Sequence, residues 1–358
     1  MLADVFFIRA NINDGFTVIS EKARRLFKKG GFSAYFKAGD FTAVKVHVGE
    51  EKNTTYIKAP CIKGLIDELM ALNVKAFLTD TSTLYTGRRH NAIDHAILAS
   101  EHGFDIAGLG IPFIVSDGLF GTSETAVKID GQLNKEVMIA YDITRCQSLL
   151  SIAHFTGHVA TCAAATLKTL GMGCASRKGK MRQHSALKPK VSKNCTRCGV
   201  CIQHCPADAI TLDDVKAHID QDKCIGCAEC VAMCRFEAVA YDWGAENVKL
   251  QKDVAEHALG VLKGKEKRSV FFNFVLSVTH DCDCYGNKDM DSIVGDIGIF
   301  ASTDPVAVDS AAVDAVEKTS GKSIAQLLAN KKLDHRTQLE HAEKIGLGSR
   351  TYRIIEIK

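Results

Sequence analysis

Eight cysteines between positions 195 and 234 constrain this chain more than any other feature. Cys195, Cys198, Cys201 and Cys205 are spaced by three, three and four residues and followed by Pro206, and Cys224, Cys227, Cys230 and Cys234 repeat the spacing. Three thiolates on a short glycine-punctuated loop reach three corners of an iron-sulfur cubane, and the fourth ligand has to come from elsewhere. In runs of this bacterial two-cluster type the last cysteine serves the other cluster. The spacing therefore predicts one [4Fe-4S] cluster on Cys195, Cys198, Cys201 and Cys234, and a second on Cys224, Cys227, Cys230 and Cys205. Zinc ribbons use paired ligands instead, which two triplets with two outliers do not suit. Disulfides fit poorly too, because the start Met1-Leu2-Ala3-Asp4 has neither the basic nor the apolar region of a secretory signal.

A chain of 358 residues is too long for the cysteine-rich unit alone. With 46% hydrophobic and 24% charged residues, it has the make-up of a globular body with a sizeable core. No apolar run approaches the roughly 20 residues needed to cross a bilayer, so no membrane partner is expected and the cytoplasm is the expected location. The formal charge of +3 falls to about neutral once two clusters of about −2 each are counted, which gives no support to a nucleic-acid partner. Charge is uneven, however. Arg177, Lys178, Lys180, Arg182, Lys188, Lys190 and Lys193 crowd into residues 176–193 without an acid, as a solvated linker or as a site for an acidic group.

Hydrophobic periodicity gives strands at residues 4–9, 41–49 and 74–79, alternating with helices at about 15–29, 59–72 and 89–102. Residues 104–117 and 125–130 look β-like, and 136–141 and 148–153 look like adjacent strands. Beyond the cysteines come a helix at 249–262, a fully buried strand at 269–278, helices at 305–318, 324–331 and 337–345, and a last strand at 352–357. The alternation predicts an α/β body with a mostly parallel sheet, in two parts, 1–189 and 243–358. An α+β ferredoxin-like domain at 190–242 is inserted between them.

Ligands of such sheets bind beyond the carboxyl ends of the strands. Lys45, His47 and Glu50 fall there, and period-two alternation places Lys45 and His47 on one face. His280, Cys282 and Cys284 occupy every second position, so an extended backbone would project all three to one side as a soft-metal or acid-base site, with Asp281 and Asp283 opposite. His154 and His158 flank Gly157 in an expected loop near Cys162, Lys168 and Cys174. Lys45, His47 and His280 are thus candidate catalytic groups, and His154, His158, His280, Cys282 and Cys284 a possible second metal site. Cys61 and Cys146 read as packing residues.

Six stretches carry a family resemblance: Lys45-Val46-His47-Val48-Gly49-Glu50, residues 154–158, residues 167–180, the cysteine unit, residues 280–284 and residues 302–309. Together they resemble the iron-sulfur centre proteins built on domain of unknown function 362. The resemblance implies an α/β body bearing two [4Fe-4S] clusters and supplies no reaction. Arg235 stands where the first run has Pro206, a departure that alters the turn without removing a ligand.

The residues point first to an oxidoreductase, or its electron-transfer component, passing electrons between the clusters and a site in the α/β body. A redox protein or a small molecule is the expected partner. A non-enzymatic carrier or docking subunit and a redox-sensing or structural cluster protein are the alternatives. No glycine-rich nucleotide fingerprint follows a strand, whereas an additional metal or a flavin is compatible with the sequence.

Overall fold

The computed structural model describes the chain except for residues 1, 86, 185–188, 225–228, 237, 241–246, 287–289 and 331–332. Eight strands form its main sheet: β1 (Ala3–Arg9), β2 (Phe41–Lys45), β3 (Lys75–Asp80), β4 (Phe113–Val115), β5 (Ser148–His154), β6 (Ser269–Val275), β7 (Gly298–Ser302) and β8 (Tyr352–Glu356). Their order is β8-β1-β7-β6-β5-β2-β3-β4. The run β6-β5-β2-β3-β4 is parallel throughout, β7 is antiparallel to both its neighbours, and β8 is parallel to β1.

Alternation along each strand builds two cores. Phe271 and Val275 of β6 face one, with Leu149 and Ala43, while Val270, Phe272 and Phe274 face the other, with Leu150, Ile152 and Val44. Helices α1 (Phe16–Lys29) and α2 (Ala59–Ala71) close the second core. The first is closed by α3 (Thr166–Gly171), α4 (Asn247–Leu262), α5 (Pro305–Ser320) and α6 (Arg336–Lys344). The sheet is a middle layer, so its central strands are apolar on both faces. The protein is α/β, with a mostly parallel sheet.

Most of the expected elements lie within a few residues of their places, and the exceptions have local causes. Strand β2 stops at Lys45 rather than running to Gly49. Beyond it the backbone turns, with Gly49 at a φ of 80° and its N–H donating to His47 Nδ1 at 3.1 Å. Residues 104–117 contain a helical turn, Ile106–Leu109, because Asp105 caps it by accepting from the Gly108 N–H at 2.7 Å. Residues 136–140 and 148–154 are not neighbours: Glu136–Ala140 pairs antiparallel with Glu124–Lys128. Thr156–His158 is a short strand paired with Cys162–Ala164, where a loop was expected.

The described residues of 190–240 add no strand to the main sheet. Lys190–Val191 pairs antiparallel with Val239–Ala240, bringing the two ends of this stretch together, and Ile210–Leu212 pairs with Ala217–Ile219. A third, small core joins Cys201, Cys230, Ile210, Ala217 and Val239 to Leu84 and Met181 of the α/β body.

One buried carboxylate positions a helix that matters below. Asp309 accepts from the Thr166 and Leu167 N–H groups at 2.9 and 2.8 Å and from Asn273 Nδ2 at 2.7 Å. It thereby caps α3, whose own N-cap residue, Ala165, has no capping side chain. Burial pushes its carboxyl up to about 6 against these three donors, so it is ionised at neutral pH. Asp309→Asn turns an NH2 group toward a backbone donor and leaves it unsatisfied. A loss of about 1–3 kcal/mol, read as a lower urea midpoint with unchanged slope, is the expected outcome.

Candidate functional site

Two constellations stand out. In the first, Cys195, Cys198, Cys201 and Cys234 line a single hollow together with Leu212 and Phe236. Three of the four come from the first cysteine run and one from the second. Loop residues Arg197 and Gly199 take φ values of 59° and 73°, which turn the backbone sharply between the thiols. Burial, then the neighbouring Cys195, Cys198 and Cys234 sulfurs, push the Cys201 thiol up, the mutual repulsion expected of thiolates gathered without a cation. Backbone N–H groups aim at the sulfurs: Ala217 at Cys195 (3.4 Å), Ala238 at Cys234 (3.3 Å) and Ala209 at Cys205 (3.3 Å).

Cys205 and Cys230 belong to the same small core, and Cys224 is part-exposed. Cys227 lies outside the described residues. No described cysteine forms a disulfide. Nor, among the described residues, do three His, Cys, Asp or Glu side chains close around a point where one metal ion could sit. Of the possible second site at His154, His158, His280, Cys282 and Cys284, no three side chains form such a group. Four thiols around one hollow, with backbone N–H groups aimed at two of their sulfurs, are a donor set of the kind an iron-sulfur cluster takes.

The second constellation sits at the carboxyl ends of β2, β3 and β5. Register pairs Lys45 with Thr79, which sets its ammonium 2.9 Å from Asp80 Oδ1. Arg89 Nη1 reaches Asp80 Oδ2 at 3.3 Å and Arg89 Nε reaches Glu50 at 3.1 Å. Its other Nη atom donates to the Tyr85 hydroxyl, whose single proton has two acceptors in reach, Glu50 (3.1 Å) and the Cys284 carbonyl (3.3 Å). Lys45, Arg89 and Asp80 are each at most 3% exposed. Burial alone would raise the Asp80 pKa, but Lys45, His95 and Arg89 hold it well below the usual carboxylate range.

Above this ionic floor lie the thiols. His47 Nδ1 lies 3.1 Å from the Gly49 N–H, and its Nε2 is shared between Cys284 Sγ at 3.3 Å and the donating Arg89 Nη1 at 2.9 Å. The Lys168 ammonium, from α3, is 3.2 Å from Cys282 Sγ and 3.9 Å from Cys284 Sγ. Burial works against that charge, yet the two sulfurs raise the Lys168 pKa. His154 bridges Asp283, at 2.9 and 3.0 Å, to the Leu276 carbonyl at 2.7 Å. His158 accepts two backbone N–H groups on Nδ1 and is kept neutral by burial and by the nearby Lys168 charge.

Lys45, His47, Cys282 and Cys284 therefore come together at the strand ends, as expected from their positions, with His154 and His158 beside them. His280 does not. Its side chain is half exposed and contacts the Leu328 carbonyl and Asp281. The cause is that residues 282–285 form a turn, closed by the Tyr285 N–H on the Cys282 carbonyl at 2.8 Å, so the extended alternation fails. Asp283, expected to face away, is buried against His154. The basic stretch at 176–193 is not a uniformly solvated linker, because Arg177 and Lys180 are buried. Lys180 donates to Thr81 and to the Ala175 carbonyl (2.8 Å), and burial lowers its pKa to about 8. Asp80, Arg89 and Tyr85 were missed. Asp80 ends a strand beside Lys45, and that was the one signal available for it.

Fold and site together define an α/β protein with a thiol-lined hollow beside a buried, charged, dithiol-bearing pocket. The chain belongs to the family described as Domain of unknown function (DUF362), which it matches over residues 42–314.

Shorter stretches are similar to parts of oxidoreductases. One is 34% identical over 80 residues to a Halobacterium salinarum protein provisionally named as the iron-sulfur subunit of a dimethyl sulfoxide reductase (21% of this chain, 30% of that protein). Another is 44% identical over 45 residues to a component of the ion-translocating oxidoreductase complex of Methanosarcina acetivorans (13% and 17%). A third is 32% identical over 62 residues to a component of the indolepyruvate oxidoreductase of Archaeoglobus fulgidus (17% and 10%). The chain thus spans less than a third of each of these relatives. Among solved structures, a Thermotoga maritima protein aligns at 11% identity and a TM-score of 0.43, over 86% of this chain and 60% of its own. The lactate racemase apoprotein of Thermoanaerobacterium thermosaccharolyticum aligns at 10% and 0.39, over 76% and 50%. No described helix is long and apolar enough to cross a membrane.

Asp80→Asn leaves Lys45 without its buried counter-ion and weakens the hold on Arg89, a change expected to cost about 3–5 kcal/mol. Because the folded pKa of Asp80 is depressed, its contribution is full above the unfolded value of about 3.9 and is lost as pH falls through the folded pKa. Chemical denaturation at neutral and acid pH should show the gap between wild type and Asp80→Asn narrowing as the solution is acidified.

Proposed function

We propose that residues 190–242 form an inserted ferredoxin-like domain holding two [4Fe-4S] clusters, and that the protein is an oxidoreductase or the electron-transferring component of one. The observation that carries this reading is the shared hollow: Cys234, from the second run, joins Cys195, Cys198 and Cys201 of the first, the crosswise pattern of two-cluster ferredoxins. Cys205, Cys224, Cys227 and Cys230 complete the second set. When bound, such clusters supply one-electron transfer at a potential tuned by hydrogen bonds to sulfur and by solvent exposure. The backbone donors on Cys195, Cys205 and Cys234 would do that tuning here. The similarity to parts of oxidoreductases, one of them named an iron-sulfur subunit, agrees with the reading.

The charged pocket is the site the clusters would serve. Leu84 and Met181 pack in the same small core as Cys201 and Cys230, and their chain neighbours Tyr85 and Lys180 belong to the pocket's hydrogen-bond network. The connection from thiol hollow to pocket is therefore short through the chain. Lys168 holds positive charge beside the sulfurs, His47 lies against Cys284, and Arg89 contacts His47 and holds Glu50. The partner is a redox protein or a small molecule.

Anaerobic purification with iron and acid-labile sulfide analysis should give about eight of each per chain, as two cubanes require. Cys234→Ala should lose about half of both and one of two overlapping electron paramagnetic resonance signals. Zinc in place of iron, or an unchanged iron content in the variant, would overturn the assignment.

A further inference from the structure

The pair Cys282 and Cys284 is asymmetric in exposure and in its neighbours. Both are free. Cys284 is part-exposed, whereas Cys282 is 8% exposed. A single ammonium, Lys168, lies 3.2 Å from Cys282 Sγ and 3.9 Å from Cys284 Sγ, and of the two sulfurs only that of Cys284 is met by His47 Nε2. The turn at 282–285, closed by the Tyr285 N–H on the Cys282 carbonyl, bends the backbone that carries both thiols. Consistent with this, the Cys282 thiol, donating to its neighbour, draws the Cys284 pKa well down together with Lys168 and His47, while that of Cys282 is pushed up. A thiolate that solvent can reach beside a buried thiol is the arrangement of an attacking and a resolving cysteine.

We propose that Cys284 and Cys282 form a reversible dithiol/disulfide couple whose substrate is a disulfide. The Cys284 thiolate attacks one sulfur of RS–SR′. The substrate S–S bond breaks, a Cys284–SR bond forms, and R′S⁻ leaves and takes a proton from solvent beside Lys168. Cys282 then gives up its proton and displaces RS⁻ from Cys284, and that proton ends on RSH. The sum is one substrate disulfide and one proton, with Cys282–SH and Cys284–S⁻, giving two thiols and a Cys282–Cys284 disulfide. The protein pair loses the two electrons the substrate gains. This couple stands on the geometry of the pocket and does not require the clusters.

The test uses the full chain purified anaerobically, with bis(2-hydroxyethyl) disulfide as the probe and peptide-resolved mass spectrometry as the readout. The wild type should lose two hydrogens across the 282–284 peptide and recover them with dithiothreitol. Cys282→Ser should instead trap a mixed disulfide on Cys284, heavier by one mercaptoethanol unit, and Cys284→Ser should trap none there. Iodoacetamide at about pH 6.5 should label Cys284 at least about tenfold faster than Cys282, as a lowered thiol pKa requires. Equal slow labelling of both, with no 282–284 linkage in the wild type and no adduct in Cys282→Ser, would overturn the couple. Iron content measured on the same samples shows whether each variant is folded, and it separates failure here from failure of the cluster assignment.

Discussion

Asp80 is the anchor of the charged pocket. Two parallel strands in register end side by side and would bury Lys45 and Arg89 with nothing to balance them, were Asp80 not 2.9 Å from one and 3.3 Å from the other. Desolvating three charges is costly, and only close pairing with further hydrogen bonds makes it tolerable. The resulting rigidity passes outward: Arg89 holds Glu50 and Tyr85, Tyr85 meets the backbone of Cys284, and the Glu50 N–H donates to the Asp283 carbonyl at 3.0 Å. Through Tyr85 alone, the loop bearing both thiols is tied to a segment 199 residues away in the chain.

The opposite wall of the pocket is set by a second buried carboxylate. Asp309 caps α3 from a distant helix and, with Asn273 of β6, fixes the rise of that short helix. Lys168 is carried on its first turn, so the separation between ammonium and sulfurs follows from a contact remote in sequence. Two charged groups that touch neither thiol therefore decide where the thiols and their cation meet.

The layered body was largely legible because apolar periodicity reports burial, and burial on both faces of β5 and β6 leaves unbroken apolar runs. Lys45 and His47 were reachable from their place at a strand end. The misreadings share one cause. Gly49, Asp105 and the turn after Cys282 each introduce a local hydrogen bond that ends or bends an element, and periodicity carries no information about such bonds. Tyr85 sits in a loop without periodicity and Arg89 just ahead of the helix at Ala92–Glu101, where the sequence had placed a helix start, so nothing local marked either as a site residue. His280 was grouped with the cysteines only by assuming an extended backbone.

Spacing by itself determined which thiols are expected to group, since a short loop limits how many sulfurs can face one centre, and apolar patterning determined the sheet of buried parallel strands. Only the folded chain decided that Cys282 and Cys284 turn toward Lys168 and His47 while His280 turns away. The reason is that such encounters depend on charges paired between distant segments, and the energy of that pairing exists only once water has been removed from around them.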